Sequence, residues 1–166
     1  MRASAKHVKE NLGQDLVVAE VGVYRGVNAR ELLEGLPIKR LYLIDPYQPY
    51  IDSGVDMHTA EEMDKAKVAA MGLLPESEKV TWLLMSSTVA AETLEDVAFD
   101  YVYLDGDHIT SHLYQEIMVW WPRVRVGGVL GGHDITEETV KQAVVQHFKE
   151  YLYSGSDWFI RKEKEE

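Results

Sequence analysis

The stretch FDYVYLDGDH, residues 99–108, is an apolar run that ends abruptly in two carboxylates and an imidazole. A continuously apolar run of this length is typical of a strand that helices cover on both faces. Four more runs of this kind predict four more strands, which are LVVAEV (16–21), RLYLID (40–45), VTWLLM (80–85) and GGVLGG (127–132). The sequence therefore predicts a buried sheet with polar residues at the end of its fourth strand.

The segments between these strands have the apolar spacing of amphipathic helices, over residues 28–36, 59–74, 111–124 and 136–152. Thr59 and Glu62 stand at capping-box spacing, and the last helix is expected to begin at a capping Thr136. Alternating strands and helices predict a doubly wound α/β fold, with a parallel sheet and right-handed crossovers. Near the end, YLYSGSDWFIRK (151–162) predicts an antiparallel hairpin, which gives a mostly parallel sheet of seven strands.

Length and charge narrow the classes of function. We expect residues 1–166 to form a single domain, with an N-terminal helix within 1–15, an insertion or lid region at 46–78 and a solvated tail at 162–166. The 28 acidic and 17 basic side chains give a net charge of -11, which disfavours nucleic acid as a partner and favours a small neutral or cationic ligand. No apolar run is long enough to cross a membrane, and the absence of cysteine and of a signal-like apolar region predicts a cytoplasmic location.

Small and acidic residues follow the strands, and in open α/β sheets ligands bind at the carboxyl ends of the strands. Glu20, Gly22 and Gly26 have E-x-G-x-x-x-G spacing, which is typical either of a ligand-binding turn or of a glycine turn that packs a helix. The chain has no third glycine of the dinucleotide fingerprint. Asp45 can either accept hydrogen bonds from the hydroxyls of a ribose or cap a turn before Pro46. The serines after the third strand can either contact the edge of an adenine or cap a helix.

In these motifs the chain resembles class I S-adenosylmethionine-dependent methyltransferases, which have a Rossmann-like fold. It is most similar to a compact bacterial group with the strand-four motif D-G-D-H, related to catechol-type and macrolide O-methyltransferases. The likeness extends from Glu20 to the DWFIRK stretch and includes EVGVYRG, YLDGDH and GGVLGGHD. It implies S-adenosylmethionine as cofactor. The residues that the resemblance implies for binding its methionine part, ribose and adenine are Glu20, Gly22, Tyr24, Gly26, Asp45, Ser86, Ser87 and Asp105.

Asp105 and His108 end one strand, and His133 and Asp134 end the next, so all four are expected to converge. Oxygen ligands suit Mg²⁺, and an imidazole shifts the preference towards Mn²⁺. The resemblance implies a metal on Asp105, His133 and Asp134, although His133 stands where the catechol-type relatives commonly have a carboxylate. The same resemblance makes His108 the general base, while its alternative role is that of a histidine at a helix start; Asp107 is expected to cap the following helix.

The leading interpretation is an O-methyltransferase, with Asp105 and His108 as catalytic residues and a small hydroxylated molecule (a phenol, a sugar or a natural product) as acceptor. One alternative is a metal-dependent hydrolase that uses the GDH and GGHD clusters, and another is a non-catalytic nucleoside-binding module. The loop with Tyr47, Tyr50, Met57 and His58 is expected to form a lid over the strand ends or a contact between copies of the chain in a homo-oligomer.

Overall fold

Seven strands form one sheet in a computed structural model that describes residues 1–52 and 56–164. The strands run in the order β5-β2-β1-β6-β7-β9-β8, and only β9 and β8 are antiparallel to their neighbours. A separate antiparallel pair, β3 and β4, lies between β2 and β5 along the chain. The predicted fold class is confirmed. The strands are β1 Leu16–Val21, β2 Ile38–Ile44, β3 Tyr50–Asp52, β4 Asp56–His58, β5 Val80–Leu83, β6 Phe99–Leu104, β7 Val124–Gly132, β8 Leu152–Ser154 and β9 Asp157–Arg161.

Helices cover both faces of this sheet, so it is buried between two apolar layers. The helices are α1 Ala3–Asn11, α2 Val27–Gly35, α3 Ala60–Leu73, α4 Ser87–Thr93, α5 Thr110–Trp120 and α6 Glu138–His147, with a 3₁₀ turn at Trp121–Arg123 after α5. Helices α1 to α3 pack on one face and α4 to α6 on the other. Because both faces are covered, the strands are continuously apolar, as the sequence indicated. None of the helices in the two described ranges is both long and apolar enough to span a membrane.

Several predicted boundaries are wrong, for local reasons. Helix α6 begins at Glu138, and its N-cap Glu137 makes no side-chain cap, so Thr136 does not cap it. The helix ends at His147 instead of continuing to 152, because the chain turns back to form the edge strand β8. Helix α4 was not predicted, since its buried positions are only Ala90 and Ala91, which give a weak apolar pattern. By contrast, Thr59 caps α3 as predicted and accepts a bond of 3.2 Å from the Glu62 amide.

The two ends of the chain are tied to the sheet by buried polar groups. Asp157 accepts bonds from the amide and the hydroxyl of Ser4 on α1, each of 3.2 Å, and from the Tyr103 hydroxyl at 3.1 Å. Lys162 is 1% exposed, and its Nζ donates to carbonyl oxygens of the segment after α5, at 2.9 Å to Val124. The prediction of a solvated tail at 162–166 is therefore wrong for Lys162, and residues 165–166 lie outside the described residues.

The carboxyl ends of β1, β6 and β7 meet at one edge of the sheet. Val21 pairs with Leu104, and Leu104 pairs with Gly132, so the residues that follow these strands are neighbours. A Cβ on Gly132 would lie 2.6 Å from the Leu104 carbonyl oxygen and 2.6 Å from the Trp158 ring nitrogen. The close packing of β7 between β6 and β9 therefore requires a glycine at this position.

We expect Gly132→Ala to lower the free energy of unfolding by about 1–3 kcal/mol, because backbone on one side and a tryptophan ring on the other leave no room for a methyl group. Gly72→Ala is the matched control: nothing lies within 4 Å of its added Cβ in α3, and alanine favours a helix over glycine by about 0.5–1 kcal/mol. Urea unfolding of both variants gives the comparison, and equal effects of the two substitutions would contradict this account of β7.

Candidate active site

A cavity of about 450 Å³ opens at the carboxyl ends of β1, β2, β5 and β6. Its volume is in the range of small-molecule sites, roughly 300–1,000 Å³. Six of the eight predicted cofactor residues line it, namely Gly22, Tyr24, Asp45, Ser86, Ser87 and Asp105. The structure thus brings together residues from four separate strand ends that the sequence could only place individually.

Gly22 forms the floor of this cavity, where β1 passes closest to β6. A Cβ on Gly22 would lie 2.0 Å from the Asp105 carbonyl oxygen, and its φ of +83° is in the left-handed region. Both facts require glycine. Gly26 lies outside the cavity lining: it precedes α2 with a φ of +76°, and its Cβ would lie 3.1 Å from Cα of Ala70 on α3. The helix-packing alternative therefore describes Gly26.

Asp45 is buried below the cavity and holds the turn after β1. Its Oδ2 accepts from the amides of Val23 at 3.0 Å and Tyr24 at 2.9 Å, and its Oδ1 accepts from the Tyr47 amide at 2.8 Å. Both tyrosines have positive φ, +47° and +48°, and these bonds keep them in that strained conformation. A carboxylate oxygen can accept two bonds, so Oδ1 retains capacity for a ligand hydroxyl. Asp45 thus combines the capping role with a position in the cavity wall.

Glu20 is 1% exposed and lies just below Gly22 at the end of β1. Its Oε1 accepts a bond of 3.2 Å from the Asn28 side chain, and its Oε2 has no hydrogen-bond partner among the described residues. Burial raises the pKa of Glu20 well above its usual value. A buried carboxylate oxygen without a partner is costly unless a cationic or hydrogen-bonding group completes it.

A cluster of carboxylates and imidazoles lies where β6 and β7 end. Asp134 Oδ2 is 2.8 Å from His108 Nε2 and 2.9 Å from His133 Nδ1. His133 Nδ1 is also 3.9 Å from Asp105 Oδ1, so the four predicted residues do converge. Asp134 has a φ of +56°, which indicates backbone strain in this cluster.

The charges of this cluster shift one another's protonation. Burial alone would raise the pKa of Asp134, but hydrogen bonds from His108 and His133 hold this pKa below its ordinary range. The hydrogen bond to Asp134 raises the pKa of His133. Burial raises the pKa of Asp105 to about 6, against the opposing charges of His133 and Arg2. Asp134 therefore serves as the fixed anion of the cluster, and Asp105 can exchange a proton near neutral pH.

Comparison with known proteins identifies this arrangement. A family profile described as "Methyltransferase domain" matches residues 19–135, which include the carboxyl ends of β1, β2, β5, β6 and β7. The chain belongs to this family. The resemblance to class I S-adenosylmethionine-dependent methyltransferases is thereby confirmed. No curated protein sequence matches the chain significantly.

Solved structures share the fold of this methyltransferase at low sequence identity. A protein from Clostridium thermocellum, provisionally described as an rRNA methylase, is 14% identical with a TM-score of 0.71, and the match covers 98% of this chain and 95% of that one. A protein from Corynebacterium glutamicum is 16% identical with a TM-score of 0.68, covering 98% and 80%. The O-methyltransferase NovP is 17% identical with a TM-score of 0.60, covering 97% and 77%. Identities this low establish the fold alone.

The residues of the cavity fit the cofactor of a methyltransferase. S-adenosylmethionine carries an ammonium and a sulfonium charge, and buried Glu20, which lies near the end of β1 shortly before Gly22, has an Oε2 without a partner among the described residues that can accept a hydrogen bond from the ammonium group. A cation beside Glu20 would also favour its ionised form, against the effect of burial. Gly22 leaves the floor open for a ligand to approach the backbone. We therefore expect Glu20 and Gly22 to hold the methionine part and Asp45 the ribose.

A divalent cation also fits the donor set. Single ligand atoms of Asp105, His108 and Asp134 all lie within 4.8 Å of one another. The predicted metal ligands included His133 in place of His108. His133 Nδ1 lies 2.9 Å from Asp134 Oδ2 and 3.9 Å from Asp105 Oδ1. A set of two carboxylate oxygens and one imidazole nitrogen suits Mn²⁺ or a later first-row transition metal better than Mg²⁺.

Arg2 is a charged neighbour of the site that the sequence analysis missed. Its Nη2 lies 3.6 Å from Asp105 Oδ2, because the bonds between Ser4 and Asp157 fix the start of α1 near the end of β6 and the start of β9. Nothing in the sequence around Arg2 indicates this contact, which depends on how α1 docks. The guanidinium supplies positive charge that partly balances the two carboxylates of the cluster.

The loop after β2 forms part of the cavity wall, and its role as a lid or as a contact between copies of the chain stays a prediction. Tyr50 lines the cavity and stacks on His58 with ring centroids 4.5 Å apart. The Tyr24 hydroxyl donates to Glu62 at 2.9 Å, which ties the cavity wall to the start of α3. Within the predicted lid region 46–78, α3 itself is an ordinary core helix, and residues 53–55 lie outside the described residues.

We expect Glu20→Gln to stabilise the ligand-free protein at pH 7 by an amount on the order of 1 kcal/mol, because it keeps the bond from Asn28 and replaces a carboxyl group that ionises less readily in the folded protein than in the unfolded chain. The sign follows from the raised pKa: the unfolded chain ionises first, near pH 4.3, so the wild-type protein loses stability as the pH rises above about that value. Urea unfolding at pH 5 and pH 8 measures this, with the exposed Glu92→Gln as control. A pH dependence identical in Glu20→Gln and wild type would contradict it.

Proposed function

We propose that this methyltransferase transfers a methyl group to a hydroxyl oxygen of a small molecule. The observation that carries the proposal is the pairing of His108 Nε2 with Asp134 Oδ2 at 2.8 Å, in the cluster that follows β6 and β7. A histidine oriented by a carboxylate is an arrangement typical of a general base. Transfer to oxygen requires such a base, because a hydroxyl must lose its proton as the new bond forms.

The residues of the chain supply positioning and proton transfer. S-adenosylmethionine supplies, when bound, a sulfonium-linked methyl group that is open to attack by a nucleophile. In this mechanism Asp134 holds the proton on Nε2 of His108, Nδ1 takes up the hydroxyl proton, and Asp134 stabilises the imidazolium that results. Glu137 Oε2, 3.6 Å from His108 Nδ1, stabilises the same cation.

A metal ion would add to this chemistry without replacing it. Held by Asp105, His108 or His133, and Asp134, a cation such as Mn²⁺ or Mg²⁺ would lower the pKa of a coordinated hydroxyl. The MycE methyltransferase, crystallised with Mg, S-adenosylhomocysteine and mycinamycin VI, has a TM-score of 0.62 and 16% identity to the chain. The match covers 96% of this chain but only 48% of MycE, so that protein supports the proposal through its fold alone.

The charge of the chain supports a small-molecule acceptor over nucleic acid. A net charge of -11 repels a phosphate backbone, and four carboxylates line the cavity itself: Asp45, Asp105, Asp107 and Glu116. The hydrolase alternative loses its support with the family assignment. A binding module without turnover is distinguished by the experiments that follow.

The acceptor class can be determined with methyl-labelled S-adenosylmethionine and a cell extract divided into small molecules, RNA and protein. We expect label in the small-molecule fraction, in a product that resists mild alkaline hydrolysis, because a methyl ether is stable where a methyl ester is not. Label in RNA or protein would overturn the small-molecule proposal, and binding of cofactor with no transfer to any fraction would favour the binding module.

We expect His108→Ala to lower kcat for methylation of the small-molecule fraction about a hundredfold or more, because a general base usually contributes that much to the rate. The affinity for S-adenosylhomocysteine should stay within about twofold of wild type, because His108 does not line the main cavity. Titration calorimetry and initial rates measure the two effects, with His7→Gln on α1 as control. A kcat within about threefold of wild type would exclude His108 as the base.

Metal binding gives a separate prediction. Mn²⁺ in excess should raise the Tm of the wild-type protein, because a ligand that binds only the folded state stabilises it. Asp134→Asn should abolish this increase in Tm. The control Asp64→Asn, at an exposed position of α3, should leave the increase unchanged. Equal shifts in wild type and Asp134→Asn would place the ion elsewhere.

A further inference from the structure

Arg2 is a positively charged side chain that contacts the acidic cluster from the start of α1. Its Nη2 lies 3.6 Å from Oδ2 of Asp105, and its charge also interacts with Asp134 and Asp157. The other oxygen of Asp105, Oδ1, lies 3.9 Å from Nδ1 of His133. Both oxygens of this expected metal ligand therefore face a side chain that can carry positive charge. The mechanism proposed above gives Arg2 no task.

The backbone of Arg2 is fixed by the docking of α1. Arg2 is the N-cap residue of this helix, and its carbonyl oxygen accepts a bond of 3.0 Å from the Lys6 amide. Ser4 is fully buried, and its hydroxyl lies 2.7 Å from the Tyr101 hydroxyl, in addition to its bonds to Asp157. The guanidinium group thus extends from a fixed backbone and stays within reach of the cluster.

The guanidinium group itself is held to Asp105 by charge and not by a directed bond. The contact of 3.6 Å between Nη2 and Oδ2 is longer than a hydrogen bond. The Arg2 side chain is 34% exposed, so its charged end can turn towards water without moving a buried group. Because ion pairs that water reaches are individually weak, a stronger competitor for Asp105 can displace Arg2.

A divalent cation in the cluster would be such a competitor. Single ligand atoms of Asp105, His108 and Asp134 lie within 4.8 Å of one another, so an ion bound to them would share the Asp105 carboxylate with Arg2. The two cations would then be closer together than the distance of about 8 Å over which physiological salt screens charges. The ion and the guanidinium group would therefore repel each other while both contact Asp105.

The charge of the cluster leads to the same conclusion. The carboxylates of Asp105 and Asp134 balance one divalent ion, since a histidine that binds a metal is neutral. With a metal present, Arg2 beside them adds surplus positive charge. Without a metal, Arg2 balances part of the negative charge. The guanidinium group therefore stabilises the metal-free cluster relative to the metal-bound one.

We propose that Arg2 is a built-in competitor of the metal ion: it pairs with Asp105 in the metal-free protein and is displaced when a divalent cation binds. This inference rests on the proposed metal site. Arg2 is then a positioning residue that acts through Asp105, and it lowers the affinity of the cluster for metal below that of the same ligands beside a neutral residue.

The affinity for Mn²⁺ can be measured without methyl transfer, from the electron paramagnetic resonance signal of the free ion in a titration with protein. We expect Arg2→Gln to bind Mn²⁺ at least about tenfold more tightly than wild type, because the repelling charge is gone. Arg2→Lys should stay within about threefold of wild type, because it retains the charge. Lys9→Gln, which removes an equal charge at an exposed position of α1, should change the affinity less than about twofold.

A combined variant locates the ion. Asp134→Asn introduced into Arg2→Gln should abolish the tighter binding, because the ion loses one of its ligands. Equal Mn²⁺ affinities of wild type and Arg2→Gln, with binding that requires Asp134, would overturn the competition and leave the metal site intact. An equal gain in Lys9→Gln and Arg2→Gln would assign the effect to overall charge and also overturn it. Absence of binding that depends on Asp134 in every variant overturns the metal site, and the competition with it.

Discussion

The contact between Gly22 and the Asp105 carbonyl is the constraint on which the site depends. No side chain fits between the ends of β1 and β6, since an added Cβ would lie 2.0 Å from that oxygen. Because the backbones approach so closely, the turn after β1 and the acidic turn after β6 share one cavity. The reversal of strand order at β1, between β2 and β6, opens this space above the sheet, where ligands of doubly wound folds bind.

The site concentrates electrostatic cost in a few buried acids. Burial raises the pKa values of Glu20, Asp105 and Glu116, so ionising these acids works against the folded state. The left-handed backbone at Tyr24 and Asp134 adds strain at two further points of the same edge. Such costs collect where a charged ligand can offset them, and the layers of helices that enclose the sheet supply the compensating stability.

Much of this could be predicted from the sequence because the signals are local. The apolar run of 99–104 predicted β6, and the polar residues after it predicted a functional edge. The wrong predictions have physical reasons. Helix α4 buries only small alanines, and α6 ends where the chain returns to the sheet. Lys162 is buried because carbonyl oxygens distant along the chain accept hydrogen bonds from its ammonium group. Patterns of neighbouring residues do not contain such information.

The sequence alone predicts the order along the chain of the seven strands of the main sheet and of the α-helices other than α4, because periodicity acts over a few residues. It also predicts the doubly wound class and the acidic and glycine-rich strand ends. Only the tertiary structure decided which of these residues work together. It placed Arg2 against Asp105, joined His108 to Asp134, set Gly26 between two helices and brought Glu116 over Gly106. These pairings depend on how helices dock on the sheet, and docking is determined by packing between segments that are far apart along the chain.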